Sequence, residues 1–218
     1  MKVAVVTGGA SGIGRAVARE LRRRGVAVTI ADVDEPAGKQ VAADYGLAFA
    51  RLDVTDAEAV SALVTRVKAE RGRLDFMFNN AGIAVGGTTR ELTLDHWNRT
   101  IDVNLRGVVH GVHAAYPIMM DQGFGHIVNT ASLAGLVPAP LMLPYTATKH
   151  AVVGLSLALR AEAAAYGVRV SVVCPGFIDT PLLDHANPGL PATELGAGAR
   201  RAAVRAAGRL YPVDALAG

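Results

Sequence analysis

Six short apolar runs recur along the chain, separated by stretches long enough to hold a helix: residues 3–7 (VAVVT), 26–32 (VAVTIAD), 47–53 (LAFARLD), 74–80 (LDFMFNN), 126–132 (HIVNTAS) and 168–176 (VRVSVVCPG). Rich in Val, Ile and Phe and ended by Gly, Asp, Asn or Pro, they read as β-strands. Crossovers of that length join parallel strands rather than hairpins. Because the runs are apolar at nearly every position instead of alternating, both sheet faces must be covered by helices. The expected fold is therefore α/β, a doubly wound parallel sheet of Rossmann-like type with six strands, in a single domain over residues 1–218. Between the strands, Thr55 and Glu58 have capping-box spacing before a helical stretch, and Gly25 and Gly72 stand where helix C-caps belong.

Composition narrows the class. With 51% hydrophobic and 19% charged residues the 218-residue chain suits one packed core and not a disordered segment, and its 24 Gly show no three-residue period, which excludes collagen. One cysteine, Cys174, excludes an internal disulfide and a cysteine-based zinc site, and points to a reducing cytoplasm. The apolar run after Met1 is too short for a signal peptide, and no stretch reaches the ~18 apolar residues of a membrane span. The formal charge is only +3, and neither Arg22 to Arg24 nor the Arg200, Arg201, Arg205 and Arg209 set is interleaved with aromatic residues, so nucleic acid is not an expected partner.

The polar residues that end the runs carry the functional signal. In an all-parallel sheet these ends share one edge, where open α/β sheets bind ligands. After the first run comes Thr7-Gly8-Gly9-Ala10-Ser11-Gly12-Ile13-Gly14, leading into a helical stretch. Gly8 suits a tight turn, Gly12 with its neighbours Ser11 and Ile13 lets backbone approach a pyrophosphate, and Gly14 lets the helix pack against the sheet. The spacing is G-x3-G-x-G, and no Gly-Lys-Ser/Thr follows, so a P-loop is excluded. Asp32 ends the second run, 32 − 14 = 18 positions beyond Gly14. A carboxylate there accepts from ribose hydroxyls and repels a 2′-phosphate, favouring NAD over NADP, with Arg15 the residue that keeps NADP open.

Further along, Tyr145 and Lys149 are four residues apart in a helical stretch and share a face. An ammonium near a phenol favours the phenolate, so Lys149 is expected to lower the Tyr145 pKa. Ser132 closes the fifth run thirteen residues before Tyr145.

Together, TGGASGIG, FNNAG, Asn104, Ser132, Tyr145/Lys149 and Pro175-Gly176 resemble the short-chain dehydrogenase/reductase family, over about residues 1–185. The resemblance implies Tyr145 as general acid/base, Ser132 as donor to the substrate oxygen, Lys149 as ligand of the nicotinamide ribose, and Asn104 as support for a proton relay. It further implies Asp53-Val54 at the adenine, Asn80-Ala81-Gly82 at the sheet centre and adenosine ribose, and Pro175, Gly176, Ile178 and Thr180 beside the nicotinamide. An interior Asn is a poor helix former, so a local distortion is expected at Asn104.

The expected reaction is hydride transfer between NAD(P) and an uncharged, apolar secondary alcohol or ketone. Residues 133–144 and the segment after Thr180 should wall its pocket, with residues 181–211 as a mobile lid. Steroid-like, fatty, terpenoid and small cyclic alcohols all remain open. A dinucleotide-binding sensor without turnover, or a methyltransferase, would use a similar fold but not the Tyr/Lys pair. By resemblance, the helices bearing Asn104 and Tyr145 pair between subunits into a dimer or homotetramer. The family pattern would also continue the helix begun at Pro212 into a seventh strand, before which this chain stops. No metal is expected: His110 and His113 read as packing or interface residues, Cys174 as a buried strand residue and Trp97 as packing. The sequon at Asn98 is irrelevant in the cytoplasm.

Overall fold

The structure, a computed structural model, describes residues 1–217. All six expected strands are present: β1 (Val3–Thr7), β2 (Ala27–Asp32), β3 (Ala48–Arg51), β4 (Phe76–Asn79), β5 (Gly125–Thr130) and β6 (Val168–Val173). They form one parallel sheet in the order β3-β2-β1-β4-β5-β6, with Val5 of β1 in register with Thr29 of β2 and Met77 of β4. The order reverses direction at β1, so a crevice opens between the ends of β1 and β4, the usual ligand position in such sheets.

Helices α1 (Gly12–Arg23) and α2 (Glu35–Tyr45) accompany the first half of the sheet, and α3 (Ala57–Arg71), α4 (Leu94–Ile101), α5 (Gly107–Gln122) and α6 (Leu143–Ala163) the remainder. Strand β1 shows why its run is continuously apolar. Val3 and Val5 join the core containing Leu63, Met77 and Ile127, whereas Ala4 and Val6 point the other way, into the core containing Ala18, Ile30 and Val41. Alternate side chains of one strand thus fill two separate cores.

Several boundaries differ from the sequence expectation. Strands β3 and β6 stop at Arg51 and Val173, two and three residues early, because the polar residues and Pro175 leave the ladder to build loops. The N-cap of α3 is Asp56, whose carboxylate accepts from the Ala59 N–H at 2.9 Å, rather than Thr55. Thr55 is taken by Asp53, to which both its N–H and its hydroxyl donate. Gly72 is the left-handed C-cap of α3, and Gly25 adopts the same conformation one residue beyond the C-cap Arg24 of α1. The helix expected from Pro212 is α8 (Asp214–Ala217), tied to α1 by an Arg19–Asp214 ion pair at 2.7 Å; α7 (Ala199–Ala207) precedes it. Among the described residues, no helix is long and apolar enough to cross a membrane.

Candidate active site

At the end of β1 the chain turns through Gly8, with φ +65°, and its N–H donates to the Ala31 carbonyl at 2.8 Å. Gly14 is required for space: a Cβ there would collide with the Gly8 carbonyl and lie 2.7 Å from the Asn80 amide nitrogen. The glycine that expectation placed against the sheet therefore packs against the turn itself. Helix α1 begins without help, for its N-cap Ser11 makes no side-chain cap hydrogen bond and no acid stands in its first turn. By contrast α2 and α3 are capped by Asp34 and Asp56. The uncapped amides of α1 and its positive dipole end face a cavity lined by Ser11, Gly12 and Ile13. That is the cradle an anionic pyrophosphate requires.

This cavity, about 770 Å³, runs along the strand ends, and every expected site residue except Gly14 and Asn104 lines it. Asp32 stands at one end, its carboxylate fixed by the N–H groups of Ala10 (3.0 Å) and Asp34 (3.1 Å). Burial presses the Asp53 carboxyl upward, but the hydrogen bonds from Thr55, with Arg99 and Arg51 nearby, outweigh it and hold the pKa below the ordinary value. Val54 is buried, and its carbonyl is bonded to His110 Nδ1 at 2.9 Å. Asn80 braces the crevice: its Nδ2 donates to the Thr7 carbonyl, its N–H to Thr7 Oγ1, and its Oδ1 accepts from Thr130. Thr180 is buried against Gly12, while Ile178 pairs with Tyr211 in an isolated bridge.

The catalytic candidates converge where β5 ends. Tyr145 and Lys149, on the first turns of α6, are 8% and 4% exposed, so almost nothing of either reaches bulk water. Lys149 Nζ donates to the Thr130 carbonyl at 2.8 Å and sits 5.6 Å from the Tyr145 ring centroid. The Tyr145 phenol lies near enough to Ser132 for that hydroxyl to favour its ionised form, and Ser132 Oγ accepts from the Ala134 N–H at 3.2 Å. Asn104 lies behind this group in a π-helical turn, Asp102–Arg106, between α4 and α5. There the expected distortion occurs. Its Oδ1 accepts from the Ile83 N–H at 2.8 Å and its Nδ2 donates to the Ile83 carbonyl at 3.0 Å. A Cβ on Gly82 would stand 3.2 Å from Asn104 Oδ1 and 3.6 Å from Lys149 Nζ, so that glycine keeps the two residues close.

The electrostatics correct one expectation. Burial raises the Tyr145 pKa above its ordinary value, and the group that draws it back is Ser132, not Lys149. The ammonium is itself desolvated, which lowers Lys149 from 10.5 to about 8, and it is turned toward the Thr130 carbonyl. Cys174 also differs, being half-buried and one residue beyond β6 rather than inside the strand. His113 is exposed, Trp97 is half-buried, and no cluster of three or more metal-ligating side chains exists among the described residues.

Three contributors escaped the sequence reading. Thr7 Oγ1 accepts from the N–H groups of Asn80 and Ala81, Thr130 serves both Asn80 and Lys149, and Arg99 reaches the cavity near Asp53. Thr7 and Thr130 were visible as polar residues at the ends of apolar runs; Arg99 carried no signal beyond its place in the sequon.

An uncapped helix facing a strand-end crevice, with buried Tyr145 and Lys149 and half-buried Ser132 at its side, defines a dinucleotide-binding oxidoreductase. The chain belongs to the short-chain dehydrogenase/reductase family: residues 2–190 match the short chain dehydrogenase family. It is 43% identical over 196 residues to cis-4-hydroxycyclohexanecarboxylate dehydrogenase of Sinomonas cyclohexanicum, covering 88% of this chain and 77% of that one. It is 40% identical over 189 residues to 2,5-dichloro-2,5-cyclohexadiene-1,4-diol dehydrogenase of Sphingobium indicum, covering 85% and 76%. Among solved structures, a short-chain dehydrogenase/reductase from Burkholderia phymatum in complex with NAD superposes with a TM-score of 0.90 at 36% identity, covering 99% of this chain and 83% of that one. The protein is accordingly a dehydrogenase that uses a nicotinamide cofactor.

Proposed function

We propose that the protein transfers hydride reversibly between NAD and an uncharged secondary alcohol, or the matching ketone, carried on a small apolar ring. The observation that carries this reading is the grouping of buried Tyr145 and Lys149 with half-buried Ser132 at the wall of the same cavity that the open end of α1 faces. Pyrophosphate suits the open amides of α1, a ribose diol suits the Asp32 carboxylate, and the Lys149 ammonium suits a second ribose. Bound there, the nicotinamide supplies or accepts the hydride.

The chain's own residues manage the proton and the oxygen. In reduction, the Tyr145 hydroxyl gives its proton to the carbonyl oxygen while Ser132 Oγ–H donates to the same atom, polarising the carbonyl. A phenol pKa raised by burial keeps that proton in place until it is needed. In the reverse direction Tyr145 first releases its proton outward and then, as the phenolate, takes the alcohol proton. Asn104 holds the Ile83 backbone and the back of the Lys149 site, supporting a relay of the proton outward.

NAD is favoured over NADP because Asp32 would repel a 2′-phosphate, and because Arg15 is exposed and outside the cavity lining. The substrate half of the cavity is walled by Leu133, Val137, Met142, Leu182 and Leu195, and no Lys, Arg, Asp or Glu of residues 133–144 or 181–206 lines it. Two relatives act on six-membered-ring alcohols, which supports a ring substrate over a fatty one. Val109 on α5 and Leu157 on α6 are 40% and 54% exposed, which supports pairing of these helices between subunits in a dimer or tetramer; size-exclusion chromatography should show no stable monomer. A single free thiol supports a reducing, cytoplasmic setting.

The test is to mix the protein with NAD or NADP and a panel of cyclic and linear secondary alcohols, following absorbance of the reduced cofactor. Turnover should be best with NAD and ring alcohols. Absence of reduced cofactor with every alcohol would overturn the reading.

A further inference from the structure

We propose that residues 187–196 form a fixed wall of the substrate cavity, and that Leu195, carried on this wall, sets how large a ring substituent the site accepts. The segment falls inside the stretch expected to be a mobile lid. Its anchorage divides that stretch in two.

The anchor is a buried polar knot. Asn187 and Thr193 are 6% and 5% exposed. Asn187 Oδ1 accepts from the Gly86 N–H at 2.9 Å, and its Nδ2 donates to the Gly86 carbonyl at 3.0 Å and to Thr193 Oγ1 at 2.9 Å. Thr193 Oγ1 donates to the same carbonyl and accepts from the Gly196 N–H at 3.0 Å. The Asn187 backbone N–H reaches the Ala84 carbonyl at 2.9 Å. Two further ties flank the knot: His96, fully buried, bonds through Nε2 to the Pro191 carbonyl at 3.0 Å, and Glu91 Oε1 accepts from the Glu194 N–H at 3.1 Å. Every polar atom of the two knot side chains is bonded, so releasing the segment would strand several buried groups at once.

The backbone is shaped to the purpose. Asn187 has φ +57°, a left-handed conformation that Asn tolerates better than most residues. The following stretch is held differently. Residues 199–207 form α7, in which Ala203 alone is buried, and Arg200 ties it to Asp179 and Asp184 through side chains 36%, 55% and 44% exposed. Arg200 also reaches the Thr180 carbonyl, and ion pairs so exposed are screened by salt. The knot is thus held by buried bonds and α7 by exposed ones.

Leu195 stands on the knot's far side and lines the cavity together with Gly86 and Leu141. A Cβ on Gly86 would lie 2.9 Å from Leu195 Cδ2 and 3.4 Å from the Leu141 carbonyl, so the isobutyl group rests on bare backbone. That backbone is itself braced, because the Gly87 N–H donates to the Leu141 carbonyl at 2.8 Å and Leu141 is held at φ +66°. With no slack behind it, Leu195 acts as a fixed gauge. One methylene more or less at such a place changes discrimination by roughly 10- to 200-fold.

The size gauge rests on the ring-alcohol reading above, whereas the wall does not, and the experiment separates them. Amide hydrogen exchange is measured on the wild type and on Asn187→Gly, which keeps the left-handed backbone while removing the knot. Then kcat/KM with NAD is measured for cyclohexanol and 4-tert-butylcyclohexanol in the wild type, Leu195→Ala and Asn187→Gly. The Gly86, Asn187 and Gly196 amides should be protected in the wild type, and Gly86 and Gly196 should lose protection in Asn187→Gly. That variant should raise KM more than it lowers kcat. Leu195→Ala should raise the bulky-to-plain kcat/KM ratio by about tenfold or more. Unprotected wild-type amides would overturn the wall, and an unchanged ratio in an active Leu195→Ala would overturn the gauge. Protected amides in a wild type that oxidises no ring alcohol would support the wall and overturn both the ring-alcohol reading and the gauge.

Discussion

Asp32 and Lys149 show how much of the site depends on single charges. The Asp32 carboxylate is prepared in advance by two backbone N–H groups and faces the cavity. Asp32→Asn keeps an acceptor but removes the charge that opposes a 2′-phosphate, so the NAD-to-NADP ratio of kcat/KM should fall by about tenfold, or ~1.4 kcal/mol. Steady-state rates with both cofactors check this. For Lys149, burial lowers the pKa from 10.5 to about 8 in the folded chain. Between those values the unfolded chain binds the proton and the folded chain does not, so stability should rise as pH increases from 8 to 10, and this group adds no slope below about pH 8. Urea unfolding without added cofactor should show that slope, worth up to about 3 kcal/mol over the whole interval, and Lys149→Met should lose it. Tyr145, Lys149 and Ser132 were legible in the sequence as residue types at set spacings. The direction of the Tyr145 shift was not, because spacing says nothing of desolvation or of the Thr130 carbonyl that takes the lysine.

Helix ends differ in whether a side chain caps them: Asp34 and Asp56 cap α2 and α3, whereas α1 opens uncapped at the cavity. Asp56→Ala should cost about 1 kcal/mol in urea unfolding, since the Asp56 carboxylate satisfies an end amide of α3. Ser11→Ala should cost almost none, because the Ser11 side chain makes no cap bond to α1. The six strands were readable from their apolar runs, but their ends were not. Both Thr55 and Asp56 are chemically able to cap α3, and the choice was made by Asp53, which captures Thr55. Asn104 was recognisable as awkward inside a helix. Its partner Ile83, 21 residues upstream, belongs to a loop that only the folded chain brings near. The segment after Thr180 has no sustained periodicity, and the link from Asn187 to Gly86 spans 101 residues, so its anchorage had no local signature beyond the Asn187-Pro188-Gly189 turn.

Across the whole molecule, the parallel sheet gathers residues as distant as Gly8 and Thr180 onto one edge and lines one cavity with them. This convergence was foreseeable, since the polar ends of all six runs had to share an edge. The central claim is that one phenol at this edge exchanges the proton of the substrate oxygen. Tyr145→Phe tests it most directly, with turnover of a ring alcohol measured beside NADH binding. The expected result is a rate lower by roughly 10²- to 10⁴-fold with NADH binding largely unchanged. A variant that binds NADH and retains most of the wild-type rate would contradict the account.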